Sequence, residues 1–269
     1  GIAFLGPLGT FSESAATRHF GHAARLMPQA SIDDVFREVE AAHADYAVVP
    51  IENSTEGAVG RTLDLLLTTP LKICGEVVLR IHQHLLSNAG ALGDVQKVYS
   101  HAQSLAQCHE WLNRSLPGAQ RISVGSNAQA AQLAAAEPGA AAIAGEAAAE
   151  RYSLPMLASS IEDEPNNTTR FVVLGRQDAG ASGRDKTSLI MSAHNRAGAL
   201  GKLLAPFSDA GVSMTRLESR PARHTLWEYV YFVDIEGHRD DAPVRAALDE
   251  LTRRAAWLKV LGSYPVAVY

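Results

Sequence analysis

Ile2-Ala3-Phe4-Leu5-Gly6-Pro7-Leu8-Gly9-Thr10-Phe11-Ser12 is the stretch on which the fold turns. Its first four residues are apolar and read as a buried strand. Gly6 to Thr10 read as a tight loop, and Ser12 as the N-cap of a helix running toward Phe20. A strand handed directly to a helix through a glycine loop is the repeating unit of α/β layers. Such a loop also presents free N–H groups and the positive end of a helix dipole, a cradle for a carboxylate or phosphate. It has no Walker lysine, and the superficially similar Gly57–Thr62 and Gly198–Lys202 segments have the wrong spacing and setting, so a nucleotide site is not expected.

The same rhythm continues outward. Ser31 opens a helix with Asp33 and Asp34 in its first turn. Tyr46 to Ile51 reads as a strand, Arg61 to Leu67 as a helix and Lys72 to Ile81 as a longer strand. Val95 to Tyr99 is a further strand and Ala102 to Leu112 one helix. Ser126 starts an Ala-rich helix, Ala140 to Ala144 is a small-residue strand, Gly145 to Tyr152 is helical, and Phe171 to Leu174 closes the series. Parallel pairing follows from this alternation. Arg176 to Lys186, flanked and punctuated by glycines, reads as a linker. Beyond it come a strand at Thr187–Ala193, a helix at Gly198–Ser208, strands at Val212–Glu218 and Leu226–Ile235, a helix at Ala242–Arg254 and a strand at Trp257–Tyr264. That order, β-α-β-β-α-β, is a ferredoxin-like unit, and such units pair, so a dimer is expected.

At 269 residues the chain suits two domains better than one. A net charge of −5, with the basic residues scattered, does not suit a nucleic-acid binder, and no basic recognition helix suggests a transcription factor. No apolar run approaches the ~20 residues of a membrane span. Cys74 and Cys108 are too few for a disulfide framework, which points to a reducing cytoplasm. The chain starts almost inside a strand, as a piece of a longer polypeptide would.

Polar residues gather at strand ends, where α/β folds present ligand groups. Asn167-Thr168-Thr169-Arg170-Phe171 leads into an apolar run, and a hydroxyl beside a guanidinium suits an anionic substrate that needs one hydrogen bond. An edge-of-strand Thr with a solvated Arg is the plainer alternative. Pro50-Ile51-Glu52-Asn53-Ser54 ends another strand; Glu52 is a proton donor if burial raises its pKa, or an acid that caps the next helix. Ser100-His101 with Gln103 and Gln107 stands at a third such turn. Adjacent Ser and His point apart, so Ser100 reads as an N-cap or anion ligand rather than a nucleophile. His82 and His84 have no third ligand nearby, and no metal site is expected. In the second unit, Glu218-Ser219-Arg220-Pro221 and the loop Asn195-Arg196-Ala197-Gly198 read either as a zwitterion site or as an ordinary hairpin turn.

Five segments in order along the chain are similar to prephenate dehydratase with a C-terminal ACT domain: Gly6 to Ser12, Pro50 to Ser54, Ser100 to Gln103 with Gln107-Cys108, Thr169 to Phe171, and Glu218 to Pro221. Glu52 to Leu67 resembles the dehydratase part of bifunctional chorismate mutase–prephenate dehydratases, which implies a mutase domain upstream. The resemblance implies a two-lobed, periplasmic-binding-protein-like catalytic domain over 1–176, with lobe one about 1–77 and 165–176 and lobe two about 78–164. A linker at 177–186 and a ferredoxin-like ACT domain over 187–269 follow. The implied reaction is decarboxylating dehydration of prephenate to phenylpyruvate, without metal, nucleotide or redox cofactor. Thr169 would hydrogen-bond the departing hydroxyl and Glu52 is the nearest true acid. Asn53, Ser100 and Gln107 would orient substrate, with Thr10, Ser54 and Phe171 in contact. Arg170 either offsets carboxylate charge or braces the lobes. L-Phenylalanine would bind as effector at Asn195, Ala197, Gly198, Ala199, Leu200 and Glu218 to Pro221; Arg196 departs from the family pattern. A cytoplasmic homodimer or dimer of dimers is implied, without nucleic-acid or membrane partners. The competing reading is a non-catalytic protein that senses an anion or amino acid in the same cleft.

Overall fold

The computed structural model describes residues 1–222 and 229–268. Its contacts divide the chain into two units, the first comprising 1–63 and 77–171, the second 64–76 and 172–268.

The chain opens with β1 (Ile2–Leu5), α1 (Phe11–Phe20), β2 (Leu26–Gln29), α2 (Ile32–Glu40), β3 (Tyr46–Asn53), β4 (Gly57–Ala58), α3 (Gly60–Thr68) and β5 (Lys72–Arg80). It continues through β6 (His84–Ser87), β7 (Lys97–Ser100), α4 (Ala102–Gln107), α5 (His109–Ser115), β8 (Gln120–Ser123), α6 (Asn127–Ala136), β9 (Ala140–Ala144), α7 (Glu146–Tyr152), β10 (Met156–Ala158) and β11 (Thr168–Gly175). The strands form two sheets, ordered β2-β1-β3-β11-β5, with β4 on β3, and β10-β6-β9-β7-β8. Parallel pairing holds for β1 with β2 and β3, and for β7 with β8 and β9. The hairpin β3–β4 and the β6 pairings with β9 and β10 are antiparallel, so the sheets are mixed.

Burial explains β9, whose five residues Ala-Ala-Ala-Ile-Ala would otherwise suit a helix. All are buried, and α6 lays Ala130, Ala131 and Ala134 into the same core cluster as Ala140, Ala142 and Ala144. Small residues on both elements let the backbones approach closely. Two crossings join the sheets, residues 81–83 and 159–167. They are tied by Ile81 N–H to Asn167 O at 2.8 Å and Ile161 N–H to Gln83 O at 2.8 Å. The buried carboxylate of Glu162 accepts from Gln83 N–H at 2.9 Å and meets His82 Nδ1 at 2.8 Å.

Two expectations change here. Thr10, not Ser12, caps α1: its hydroxyl accepts from Glu13 N–H at 3.4 Å, and Gly9 takes the positive φ of 91° that the turn before it demands. The single helix expected over Ala102–Leu112 breaks at Cys108. Asp163, on the second crossing, accepts from Glu110 and Trp111 N–H at 2.9 and 3.0 Å, and so starts α5 as a separate helix.

The second unit adds β12 (Asp185–Ser192), α8 (Ala199–Asp209), β13 (Met214–Pro221), β14 (Tyr229–Glu236), α9 (Ala242–Arg254) and β15 (Trp257–Pro265). Its antiparallel sheet, β13-β14-β12-β15, is the ferredoxin-like arrangement. The helices pack on one face through Leu203, Phe207, Val244, Ala247 and Leu251 against Leu189, Met191, Val233 and Ile235. The part of the expected Leu226–Ile235 strand before Tyr229 falls outside the described residues. By contact, the end of α3 and the start of β5 belong with these strands. Lys259 Nζ donates to Leu66, Leu67 and Thr69 carbonyls at 2.9, 3.3 and 2.6 Å. Gly262 is required there, since a Cβ would meet Ile73 O at 2.1 Å.

Candidate active site

Between the two sheets of the first unit lies a cleft of about 810 Å³. Its lining includes Thr10, Phe11 and Ser12 from the start of α1, and Gly125 to Asn127 with Gln129 from the start of α6. Backbone N–H groups in the first turn of a helix lack intrahelical partners, so each end offers donors and a positive dipole end. Not one Asp, Glu, Lys or Arg is among the lining residues, and His101 is the one histidine there.

The polar groups of the wall are oriented from outside the cleft. Asn53 Oδ1 accepts from the backbone N–H of Thr55 and Glu56 at 3.0 and 3.2 Å, and from Thr55 Oγ1 at 2.6 Å. Backbone N–H groups can only donate, so that end of Asn53 must be oxygen. Its Nδ2 is thereby directed at Asn167 Oδ1, 2.8 Å away, and Thr169 Oγ1, 2.9 Å away. Thr169 consequently accepts from Asn53 and keeps its own hydrogen for the cleft that it lines.

The other wall follows the same logic. Asn127 Oδ1 accepts from His101 N–H at 3.0 Å and Ser100 Oγ at 2.9 Å, which turns its Nδ2 toward Ser104 Oγ at 2.8 Å. The Glu56 carboxylate accepts from Gln107 Nε2 at 3.2 Å, so Gln107 Oε1 faces Gln83 Nε2, also at 3.2 Å. Gln83 Nε2 donates to Ser104 Oγ as well, at 3.1 Å. Two buried atoms on lining residues, Gln83 Oε1 and Asn167 Nδ2, meet no hydrogen-bond partner among the described residues.

Thr10, Asn53, Gln107, Thr169 and Phe171 are thus brought to one cleft. Thr10 spends its hydroxyl hydrogen on Leu5 O at 3.2 Å, and Gly9 N–H is held by the Glu13 carboxylate. Four expected residues lie outside the lining. Ser100 is wholly buried and caps no helix; its single hydroxyl hydrogen is shared between Ile143 O and Asn127 Oδ1, each 2.9 Å away, so it meets the cleft only through Asn127. Ser54 knits β3 to β11, accepting from Thr168 N–H at 2.9 Å. Glu52 and Arg170 pair with each other at 3.2 Å. Arg170, next to Thr169 on a strand, faces the other side of the sheet. Gln83, Ser104, Asn127 and the side chain of Asn167 had no assigned role in the sequence. Asn167 stands two residues before Thr169, the strand spacing that shares a face, and that was its one legible signal.

Among the described residues no group of three or more His, Cys, Asp or Glu could hold a metal. His82 and His84 are engaged, the first by Glu162 and the second by Ser160 N–H at 3.1 Å. Burial pulls the His84 pKa down, against a partial lift from Glu162. Burial pushes both thiols up, Cys74 to about 11. No described helix is long and apolar enough to cross a membrane.

In the second unit a cavity of about 260 Å³ is lined by Asn195, Gly198, Ala199, Leu200, Gly201 and Tyr231, among others. Glu218 to Pro221 lie on the edge strand β13, and Arg220 pairs with Asp64 at 2.9 Å rather than lining that cavity. Ala197 does not line it either.

A two-lobed α/β domain with a cleft lined by neutral polar groups, followed by a ferredoxin-like unit with a small pocket of its own, defines the class of protein. The family model for prephenate dehydratase matches residues 2–179, and that for the ACT domain residues 187–253. The chain is 60% identical to the bifunctional chorismate mutase/prephenate dehydratase of Neisseria gonorrhoeae, over 99% of its own length and 75% of that protein. It superposes with a TM-score of 0.90 and 35% identity on the prephenate dehydratase of Arthrobacter aurescens in complex with L-Phe, covering 98% of this chain and 89% of that one. Another solved structure, GqqA, described as a novel type of quorum quenching acylase, gives a TM-score of 0.88 at 31% identity, covering 98% and 97%. The chain belongs to the prephenate dehydratase family and carries an ACT domain.

Proposed function

We propose that the chain acts as a carbon–oxygen lyase on prephenate, releasing water and carbon dioxide to give phenylpyruvate, under feedback by L-phenylalanine. The observation that carries this reading is the Thr169 hydroxyl, oriented as a donor by Asn53, in a cleft whose lining holds no formal negative charge and no Lys or Arg. As the ring carbon–oxygen bond breaks, its electron pair goes to the oxygen; the pair of the ring–carboxylate bond moves into the ring, which becomes aromatic. The departing oxygen needs a hydrogen bond as it gains charge, and one proton from solvent to leave as water. Thr is far too weak an acid to supply that proton alone, so Thr169 serves as donor and relay. The helix starts at α1 and α6 attract the two carboxylates without pairing either with a cation. A carboxylate fixed in a salt bridge would hold its electrons; one met only by dipoles can release them.

Asn53 holds Thr169, and Gln107 reaches Glu56 across the cleft. Glu52, paired with Arg170 and outside the lining, is better placed to brace β3 against β11 than to protonate substrate. We assign the effector to the Asn195–Leu200 pocket, the catalytic region to 1–176 and the ACT domain to 187–269, in a cytoplasmic homodimer or dimer of dimers. An acyl-transfer activity is less well supported. Among the described residues the cleft hydroxyls of Thr169 and Ser104 bond amides, not a histidine or carboxylate that would activate a nucleophile.

The test is phenylpyruvate formation from prephenate, followed by ultraviolet absorbance with no metal or nucleotide added, with and without L-phenylalanine. A folded sample that binds prephenate but forms no phenylpyruvate leaves the non-catalytic sensor as the better reading.

A further inference from the structure

Asn167 is 1% exposed, lines the cleft, and carries in Nδ2 a buried donor with no partner among the described residues. A buried amide hydrogen left unmet is costly, and native structures retain few of them. We propose that Asn167 Nδ2 donates a second hydrogen bond to the departing hydroxyl oxygen of the substrate, beside the one from Thr169. This rests on the prephenate reading and adds a substrate-contacting residue to it.

Three observations place the two donors together. Asn167 immediately precedes β11 and Thr169 lies in it, two positions apart, and both line the cleft. Both are gripped by the same atom, Asn53 Nδ2, at 2.8 and 2.9 Å. That grip also decides their sense. Asn167 Oδ1 is consumed as an acceptor, so the only end of the amide left to offer is the donating one. The main chain of Asn167 is fixed as well, its carbonyl accepting from Ile81 N–H at 2.8 Å.

The oxygen that leaves has two lone pairs and becomes more basic as its bond to the ring stretches. One donor satisfies half of it. In prephenate this hydroxyl stands on the ring carbon opposite the one that bears both carboxylate arms. A donor adjacent to Thr169 therefore serves the hydroxyl rather than the carboxylates. Asn167 gives up no proton; the oxygen still takes its proton from solvent and leaves as water.

The experiment compares the full chain with Asn167→Ala and Asn167→Asp, measuring kcat and KM for prephenate. It also measures inhibition by phenylpyruvate, which lacks the leaving hydroxyl. Expected for Asn167→Ala is a kcat lowered about 100-fold, the size of losing one donor to a developing oxyanion. KM and phenylpyruvate inhibition should stay within about twofold of the parent, the pattern of an interaction made in the transition state. Asn167→Asp keeps the acceptor for Asn53 but replaces the donating end, so its kcat should be equally low. If Asn167 merely braces Asn53, Asp restores kcat and the proposal falls. A weakened phenylpyruvate inhibition with kcat preserved in Asn167→Ala also overturns it, by assigning Asn167 to a carboxylate. Should the Ala variant fail to fold by circular dichroism, the kcat of the Asp variant decides. A parent chain without prephenate turnover sinks the dehydratase reading itself, an outcome distinct from a normal parent with an indifferent Asn167.

Discussion

In the cleft of the first unit, Thr169, Asn53, Gln83 and Ser104 meet the ligand space with neutral groups, and no Asp, Glu, Lys or Arg joins them. In the second unit, charged side chains hold the segment 64–76 to the ferredoxin-like strands. Lys259 spans three carbonyls at the end of α3; Lys186 pairs with Glu76 at 3.0 Å, their side chains 14% and 2% exposed; Arg220 pairs with Asp64. The contrast follows from what each place must do. Buried ion pairs return little net stability against hydrophobic packing, but they penalise any wrong partner heavily, which suits a docking register. A cation in the cleft would bind the anionic substrate better while anchoring the carboxylate electrons that the reaction must release.

The sharpest way to break this contrast is to remove the cleft's own donor. Thr169→Ala should lower kcat about 1000-fold, on the order of 4 kcal/mol of barrier, while prephenate still binds. Single-turnover rates with a separate binding titration check it, and a parallel loss of affinity would show that Thr169 serves binding instead. On the other side, Glu76→Ala strands the Lys186 ammonium and should cost about 3 kcal/mol in stability. Denaturant melts of the full chain read that cost, and turnover per folded molecule should persist.

Gly201 faces open space where a Cβ would stand, and it lines the small pocket of the second unit. Gly201→Leu should fill that pocket without hurting helix α8. The L-phenylalanine concentration for half inhibition is expected to rise at least about tenfold, equivalent to 1.4 kcal/mol, at unchanged basal kcat; an unaltered response would move the effector elsewhere. The smallest effect tests the neutral lining from the opposite direction. Gln132→Lys brings a cation to the cleft wall and should lower KM about fivefold, roughly 1 kcal/mol, while kcat falls. A rise in both would remove the argument for keeping the cleft uncharged.

Much of the fold was legible because it rests on local pattern. The opening strand, the Ser31 and Ser126 caps, the Ala140–Ala144 strand and the β-α-β-β-α-β order each carry their cause within a few residues. The short strands β2, β6, β8 and β10 escaped because three or four residues show too little periodicity. The break at Cys108 was invisible for another reason: Asp163, far along the chain, makes it. The site divides the same way. Thr169 and Asn53 are identifiable at strand ends. That Ser100 works from behind Asn127, and that Arg170 turns away to Glu52, depends on burial and on which face of a sheet each residue occupies.

Glu56 serves both halves of the wall, its backbone N–H anchoring Asn53 and its carboxylate anchoring Gln107. Water solvating a leaving hydroxide must first swing its dipoles round, and that reorganisation is a large part of the barrier in solution. On the mechanism proposed, that rotation is done in advance by the hairpin turn at Thr55 and Glu56, when the chain folds. The free energy of folding, spent once, stands in for a solvent rearrangement that would otherwise recur at every turnover.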